Sequence, residues 1–484
     1  MSALPAISAP PIRSTQQQRT HWSRHFDQPK VLEPTRLSIE GRLPPGLQGT
    51  LLRNGPGVFD LPGGTRTNIF DGDGVVVRAQ FSHGQAIGQV RPVDGPDMKT
   101  ERKAGRARFS AFERPADRWV DRLGARIKNA ANTSVMRWNG RLFAMCEGGP
   151  PTELDPNTLE TLGETNLNGV IPGAFSAHPA RVASRHTTYN FGIRYGIVSQ
   201  LDVFAFPDGG DARRLISVPL DAPRAMHDFI ATDHHLVFFT LPLKIDLARM
   251  VLGIGAIHHN LHWTPSLGVE VIVVPIDRPS ECARFSIDPF MVWHFANAFE
   301  MGGTKLAIDY VRFPDASGLD FVRTGRQGMV SAAVQPGLLH RATVDWKRKT
   351  FETQPLCEAS VEFPQVAPSN AGNTTGPIYM VSHSSETVAR NGFFDTIMRV
   401  DPNDGSEQAI TLGDRQWVTE ALFAANPQAT HPDEGWLLST VYDETQHQSY
   451  VAVLDAQRLD RGPLAKVWYP QAVHWTFHGI WTPQ

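Results

Sequence analysis

The sequence predicts an all-β fold closed into a ring, and three observations carry that expectation. Short β-branched and aromatic runs recur between turn signals, as in Gly74-Val-Val-Val-Arg-Ala-Gln-Phe81 and Gly268-Val-Glu-Val-Ile-Val-Val-Pro275, the signature of strands. Apolar-Asp turns follow such runs at Asp155, Asp208, Asp277, Asp345, Asp401 and Asp455, with spacings of 53, 69, 68, 56 and 54 residues. That period is slightly longer than the roughly 40 to 50 residues of compact propeller blades, as inserted loops would make it. Finally, His178, His227, His294 and His478 each stand among apolar or small residues at intervals of 49, 67 and 184. No single helix or hairpin carries all four, whereas a ring brings them together. Six turns plus the N-terminal portion suit a seven-bladed β-propeller; a β-sandwich or a two-domain β protein competes with it on this evidence alone.

Taken in chain order, residues 1–34 are rich in Pro, Ser, Gln and Arg without periodicity and are expected to form a flexible N-terminal arm. Residues 35–484 then make one large domain. At 484 residues the chain exceeds the usual single core of about 250 to 300 residues, which itself favours a repeat architecture or several domains. The Asp71-Gly-Asp-Gly74 stretch reads as a Gly-rich hairpin, since it lacks the later ligands of a calcium loop. In residues 241–257, Leu243, Leu247, Met250, Val251 and Ile254 share one helical face, although Ile245 and Leu252 lie opposite, so a helix packed over the ring is expected. At the chain end, where tails normally fray, His478 stands between Phe477 and Gly479-Ile480-Trp481. An imidazole among aromatics there implies that the last residues are tied down in the interior, with a metal as the closing partner.

Composition removes several classes. A net charge of −3 with no long Lys/Arg block gives no field for nucleic acid. Three scattered cysteines, Cys146, Cys282 and Cys357, are too few for a disulfide framework or a Cys-based zinc site and favour a reducing compartment. The N-terminus lacks a signal-peptide pattern, and no run approaches the roughly 18 apolar residues of a spanning helix, so a cytoplasmic protein is expected.

In this order, Leu37-Ser-Ile-Glu-Gly-Arg-Leu-Pro-Pro-Gly46, Arg53-Asn-Gly-Pro-Gly57, Phe70-Asp-Gly-Asp-Gly74, Asn132-Thr-Ser-Val135, Glu147-Gly-Gly149, Glu362-Phe-Pro364, Thr419-Glu420 and the final His478-Gly479 resemble the motifs of the carotenoid cleavage oxygenase family, bacterial apocarotenoid-cleaving dioxygenases in particular. The resemblance covers nearly the whole chain. It implies a seven-bladed β-propeller with a dome of loops and helices over an axial iron site, and it makes the propeller the choice among the three architectures.

By the same resemblance, His178, His227, His294 and His478 match the ligands of one Fe(II) per chain. Imidazole chemistry agrees in part: four neutral rings suit any borderline first-row metal, and softness alone does not separate iron from zinc, copper or nickel. Four nitrogens would saturate tetrahedral zinc, whereas six-coordinate iron keeps two positions open. Glu147, Glu362 and Glu420 match the family's three carboxylates that accept a hydrogen bond from a ligand's other ring nitrogen, which fixes its tautomer and orientation. Chain order pairs them with His227, His294 and His478 and leaves His178 without a carboxylate. Thr133 matches the threonine whose methyl lies near one open iron position. His234, His235, His258, His259, His262, His383 and His474 are expected on the surface or in a substrate tunnel; adjacent histidines on a strand would point to opposite sides.

Family members cleave carotenoids or apocarotenoids to aldehydes, cleave hydroxystilbenes, or isomerise and hydrolyse retinyl esters. The stilbene branch engages the phenol with a tyrosine and a lysine. The matching positions here are Phe112 and Cys146, which offer no phenolic hydroxyl and no ammonium. A site that has lost both polar partners argues against a hydroxystilbene. The implied reaction is therefore O2-dependent cleavage of a conjugated C=C bond in a lipophilic polyene, and the resemblance also implies that the apolar 241–257 segment dips into a bilayer near the tunnel mouth. Two competing classes remain: a metal-free propeller acting as an interaction platform, which bound iron would exclude, and a calcium-dependent propeller hydrolase, which would need an oxygen-rich site.

Overall fold

The computed structural model describes residues 21–319, 334–391 and 393–484. Strands such as Val269–Pro275 are buried at every position, so the alternation of a half-exposed sheet is replaced by continuous apolar runs packed on both faces. They form seven antiparallel blades of a propeller.

Counting from the axis outward, blade one contains His478–Pro483, Gly49–Val58, Asp73–Ser82, Gln85–Pro92 and Leu32–Arg36. Blade two runs Ser134–Trp138, Arg141–Met145, Thr152–Leu154 and Thr161–Glu164; blade three runs Ala180–Val182, Thr187–Arg194, Gln200–Pro207 and Arg213–Pro219. Blade four holds Phe229–Ala231, His235–Thr240, Val269–Pro275 and Ala283–Ile287. Blade five has Met291–Gly302, Lys305–Phe313, Leu338–Asp345 and the first part of Thr350–Val366. The rest of that 17-residue strand passes inward to open blade six, followed by Ile378–Ser382, Thr396–Val400 and Glu407–Thr411. Blade seven sets Gln416–Val418 and Leu422–Ala425 side by side on Gly435–Asp443, then Gln448–Asp455, Pro463–Trp468 and Ser38–Gly41.

Both chain ends thus close the ring. The C-terminal strand supplies the inner edge of blade one, pairing residue by residue from Gly49↔Pro483 to Asn54↔His478. The N-terminal strand Ser38–Gly41 caps the outer edge of blade seven. Closure satisfies edge backbone groups that would otherwise be exposed. Close approach demands glycine at the C-terminal junction and between blades one and two: a Cβ on Gly479 would lie 2.3 Å from the Leu52 carbonyl oxygen, and one on Gly74 would lie 2.1 Å from that of Ala131.

The six apolar-Asp turns all fall at the same place, between the third and fourth strands of blades two to seven. The Asp155 carboxylate accepts from the Asn157 and Thr158 amides (both 2.8 Å), and Asp401 and Asp455 accept likewise from Asn403 and Gln457 (both 3.0 Å). These side chains close the turn that the strand ends require.

Three expectations are corrected. The flexible arm does not extend to residue 34: His21–Phe26 is a short 3-10 helix whose His25 and Phe26 are buried, and Leu32–Arg36 pairs with Gln85–Pro92. Phe26 packs edge-on to Phe59 at 5.7 Å, and that apolar burial outweighs the polar composition. Asp71-Gly-Asp-Gly74 is not a hairpin but a 3-10 turn, Ile69–Asp71, entering a strand. Asp71 accepts from the Phe112 and Glu113 amides, and Asp73 pairs with Lys128 at 2.7 Å. Third, residues 241–257 carry only a five-residue helix, Leu247–Val251, after the strand Leu243–Ile245. Gly253 and Gly255 at φ 71° and 78° end it, because the left-handed region breaks helical continuation.

Candidate metal centre

The innermost strand of each blade delivers one side chain toward the axis. In ring order from blade one these are His478, Thr133, His178, His227, His294, Glu362 and Glu420, each within the inner strand or within two residues of it. Glu147 comes instead from the loop after Arg141–Met145. Repetition of one strand position around the ring is what gathers residues far apart in sequence.

The nitrogen donors of His178, His227, His294 and His478 all lie within 4.8 Å of one another. His227 Nε2 and His294 Nε2 face each other at 3.3 Å. On the outer side, His227 Nδ1 meets Glu147, His294 Nδ1 meets Glu362, and His478 Nδ1 meets Glu420 at 2.9 Å. The pairing is that of chain order. His178 Nδ1 lies 3.9 Å from Asp228 Oδ1, too far for a hydrogen bond, and its Nε2 is buried with no hydrogen-bond partner among the described residues.

This donor set fits a divalent metal. Three rings give Nδ1–H to carboxylates, which leaves Nε2 lone pairs for the axis. An orphaned buried nitrogen on the fourth ring calls for a partner of the same kind. Burial, reinforced by the neighbouring imidazoles, holds His178 well below its ordinary pKa, and burial pushes His478 down to about 4 despite Glu420. Both rings are therefore neutral near pH 7, as a metal ligand must be. For His294 burial acts downward but Glu362 and Asp228 outweigh it and raise the pKa; a cation at the centre would take the place of that proton.

Several supporting residues were not legible as such. Arg53 is fully buried and donates to Glu420 Oε2 at 2.9 Å, to the Phe477 carbonyl at 3.0 Å and to Thr476 Oγ1 at 3.1 Å. Glu420 also accepts from Gln365 Nε2 (2.9 Å) and the Gly479 amide (3.0 Å). Burial would raise its pKa, but His478 and Arg53 outweigh that and hold it below the usual range. Arg53 stood in a recognised motif without a role, and no local signal marked it. Phe363 stacks on His294 at 5.0 Å, and Trp293 meets His227 edge-on at 4.9 Å.

His227, His294 and His478 open onto a cavity of about 910 Å³ whose wall is mainly apolar. Thr133, Phe112 and Cys146 line it. Thr133 Oγ1 donates to Asn132 Oδ1 at 3.1 Å, and the Thr133 carbonyl accepts the His478 amide at 3.2 Å. Phe112 sits edge-on to Phe70 at 5.4 Å, while burial raises the Cys146 thiol pKa. Of the other histidines, His383 lines the cavity. His474 is buried in the core rather than at the surface or in the tunnel, and His258 and His259 share a 3-10 turn with rings 3.8 Å apart rather than opposing along a strand.

A seven-bladed propeller with four converging axial imidazoles, three of them fastened by glutamates, defines an enzyme-like propeller whose axis can hold a metal. The chain matches the retinal pigment epithelial membrane protein family over residues 26–483, and it belongs to that family, the carotenoid oxygenases. It is similar to apocarotenoid-15,15'-oxygenase of Synechocystis, with 30% identity over 99% of this chain and 99% of that one. Lignostilbene-alpha,beta-dioxygenase isozyme III of Sphingomonas paucimobilis is 28% identical over 93% of this chain and 96% of its own. The crystal structure of the cobalt-substituted Synechocystis apocarotenoid oxygenase matches with a TM-score of 0.88 at 28% identity, covering 96% of this chain and 98% of that one.

Proposed function

We propose that this protein is a non-haem iron dioxygenase that cleaves a conjugated C=C bond of a carotenoid or apocarotenoid to aldehyde or ketone products. The carrying observation is the cluster of four imidazoles, His294 and His478 buried and His178 and His227 largely so, with three of them, His227, His294 and His478, in the wall of a large apolar cavity. His178, His227, His294 and His478 would hold one Fe(II) per chain; the cobalt-substituted relative supports a metal at the matching centre. Bound there, iron supplies the activation of dioxygen that cleavage of an unactivated polyene requires.

The chain's own residues do the rest. Glu147, Glu362 and Glu420 fix ring tautomer and orientation. Thr133 lines the cavity with its hydroxyl engaged by Asn132, and its methyl would restrict where dioxygen and substrate sit. The apolar wall excludes water and aligns a rigid polyene beside the imidazoles. Phe112 and Cys146 offer neither of the polar partners that would anchor a phenol, so the polyene is favoured over the stilbenoid despite the lignostilbene-cleaving relative.

Access is from a membrane surface. Trp119, Val120, Leu123, Val251, Leu252 and Ile254 are exposed, and the two segments are joined by the Gly124 amide donating to the Val251 carbonyl at 2.9 Å. Leu247 and Met250, on the same short helix, line the cavity. Such a patch at a tunnel mouth suits peripheral docking and uptake of a lipid-soluble substrate. No helix among the described residues is long and apolar enough to cross a membrane. Free Cys146, Cys282 and Cys357 support a reducing, cytoplasmic setting.

The test is incubation of iron-loaded protein with carotenoids, apocarotenals and stilbenes, with products identified by mass. Cleavage of an apocarotenoid with little turnover of a resveratrol-like stilbene is expected. Comparable turnover of a 4-hydroxystilbene would overturn the substrate assignment.

A further inference from the structure

The cavity extends past the metal centre to blade six, and there its wall changes character. From His294 the path runs over Phe363 (5.0 Å), then Phe394 (6.0 Å from Phe363), to His383, whose ring lies against Phe394 at 4.6 Å. His383 follows the strand Ile378–Ser382 directly and lines the cavity. Several polar side chains elsewhere in the wall are already engaged. Lys128 is bound to Asp73 and Glu101, Asn132 donates to the Phe70 and Gly72 carbonyls, Ser176 to the His227 carbonyl, and Tyr195 to the Arg224 carbonyl. His383 has no hydrogen-bond partner among the described residues, and its Nδ1 is buried. An imidazole nitrogen buried without a partner beside these engaged side chains requires a reason. Packing on Phe394 does not supply one, because a phenylalanine would stack there without carrying two polar atoms into an apolar site.

We propose that His383 recognises an oxygen-bearing end of the substrate, a hydroxyl or a carbonyl, on the part of the polyene that lies beyond the metal centre from residues 241–257. This deepens the proposed function and rests on it. The neutral ring has one N–H donor and one acceptor nitrogen, which serve an alcohol and an aldehyde alike. Burial keeps it neutral, with its pKa pushed down to about 4, so it does not select for a carboxylate. A pure hydrocarbon end would leave the ring unsatisfied, and a site built around a polar partner discriminates by that loss.

The test measures affinity as well as turnover. Iron-loaded wild type, His383→Phe and His383→Gln are titrated without oxygen with three polyenes of equal length, ended by an alcohol, an aldehyde or a hydrocarbon, and binding is read from the polyene absorption band. The same series is then turned over in air. His383→Phe keeps the stacking ring, so iron content and melting temperature should be unchanged. Its affinity for the alcohol and aldehyde should fall about 2- to 10-fold, the range for one neutral hydrogen bond, with the effect in KM rather than kcat. Affinity for the hydrocarbon should hold or improve, and His383→Gln should recover part of the loss. Equal changes for all three ends, or none, would overturn the assignment. A loss confined to the alcohol or to the aldehyde would identify which end the pocket takes. Wild type that cleaves no polyene of any kind would instead overturn the proposed function, and this inference with it.

Discussion

Glu147 and Glu420 do the same thing for their imidazoles, and replacing each by glutamine should separate the metal role from the structural one. The Glu147 side chain is 41% exposed and meets His227. The Glu420 side chain is 1% exposed beside a fully buried Arg53. Four donors converge on Glu420: Arg53 and the Gly479 amide on Oε2, His478 and Gln365 on Oε1. In either orientation a glutamine sets its NH2 against two of them and leaves Arg53 as an uncompensated buried charge. Breaking a buried pair in this way costs about 3 to 5 kcal/mol, whereas the Glu147 change should fall within about 0.5 kcal/mol, as for most exposed positions. Both variants should lose about 10- to 100-fold in metal affinity. Denaturant unfolding of the metal-free proteins, with iron affinity from chelator competition, measures the two effects apart. Equal stability of the two variants, or wild-type iron affinity in both, would refute the reasoning.

Removing a ligand should act on the metal with little effect on the fold: His227→Ala and His294→Ala are expected to lose iron and cleavage while circular dichroism stays that of the wild type, and full activity of the iron-free protein would contradict the assignment. Deleting residues 478–484 removes a ligand together with the inner strand of blade one, so iron content should fall to background and the melting temperature should drop; unchanged iron by elemental analysis would show that the centre lies elsewhere. Val251→Asp combined with Leu252→Asp should weaken co-sedimentation with phospholipid vesicles by about tenfold or more, since burying each such side chain is worth roughly 1.5 to 3 kcal/mol. Turnover of a detergent-dispersed substrate should be unaffected, and unchanged vesicle binding would remove this patch from the docking surface.

The ring was legible because a local chemical need repeats. Each third strand of blades two to seven ends in a turn that carries an aspartate, which at Asp155, Asp345, Asp401 and Asp455 accepts from the turn's own amides, so Asp155 through Asp455 count those blades directly. Blade one left no such mark: its third strand ends at Ser82, followed by His83-Gly84, and it is assembled from both ends of the chain. The apolar setting of each imidazole, where an unpartnered one is costly, drew attention to the histidines, but a single one reads as an ordinary core residue, and the resemblance in motif order is what singled out the four together. Arg53 was not legible, because its partners Glu420, Thr476 and Phe477 lie hundreds of residues away. Residues 241–257 misled in the opposite direction. Their apolar spacing was helical, but Leu243 and Ile245 belong to a strand paired with Leu261–Trp263, and Val251, Leu252 and Ile254 are exposed.

These facts tie closure of the propeller to completion of its centre. Arg53 comes from the second strand of blade one, Glu420 from the inner edge of blade seven and His478 from the last strand of the chain, and the three meet in one buried cluster. None of the three is satisfied until the C-terminal strand docks against Gly49–Asn54: before that, Glu420 lacks the His478 and Gly479 donors, and Arg53 lacks the Phe477 and Thr476 acceptors. A half-closed ring would therefore hold a buried Arg–Glu pair with too few hydrogen bonds, a state that low-dielectric surroundings penalise strongly. The same hydrogen bonds that penalise it orient the fourth imidazole. Strand docking, burial of the ion pair and assembly of the imidazole cluster are for this reason coupled, and the usual tolerance of a chain terminus is lost because this terminus carries one of the four imidazoles inside the ring.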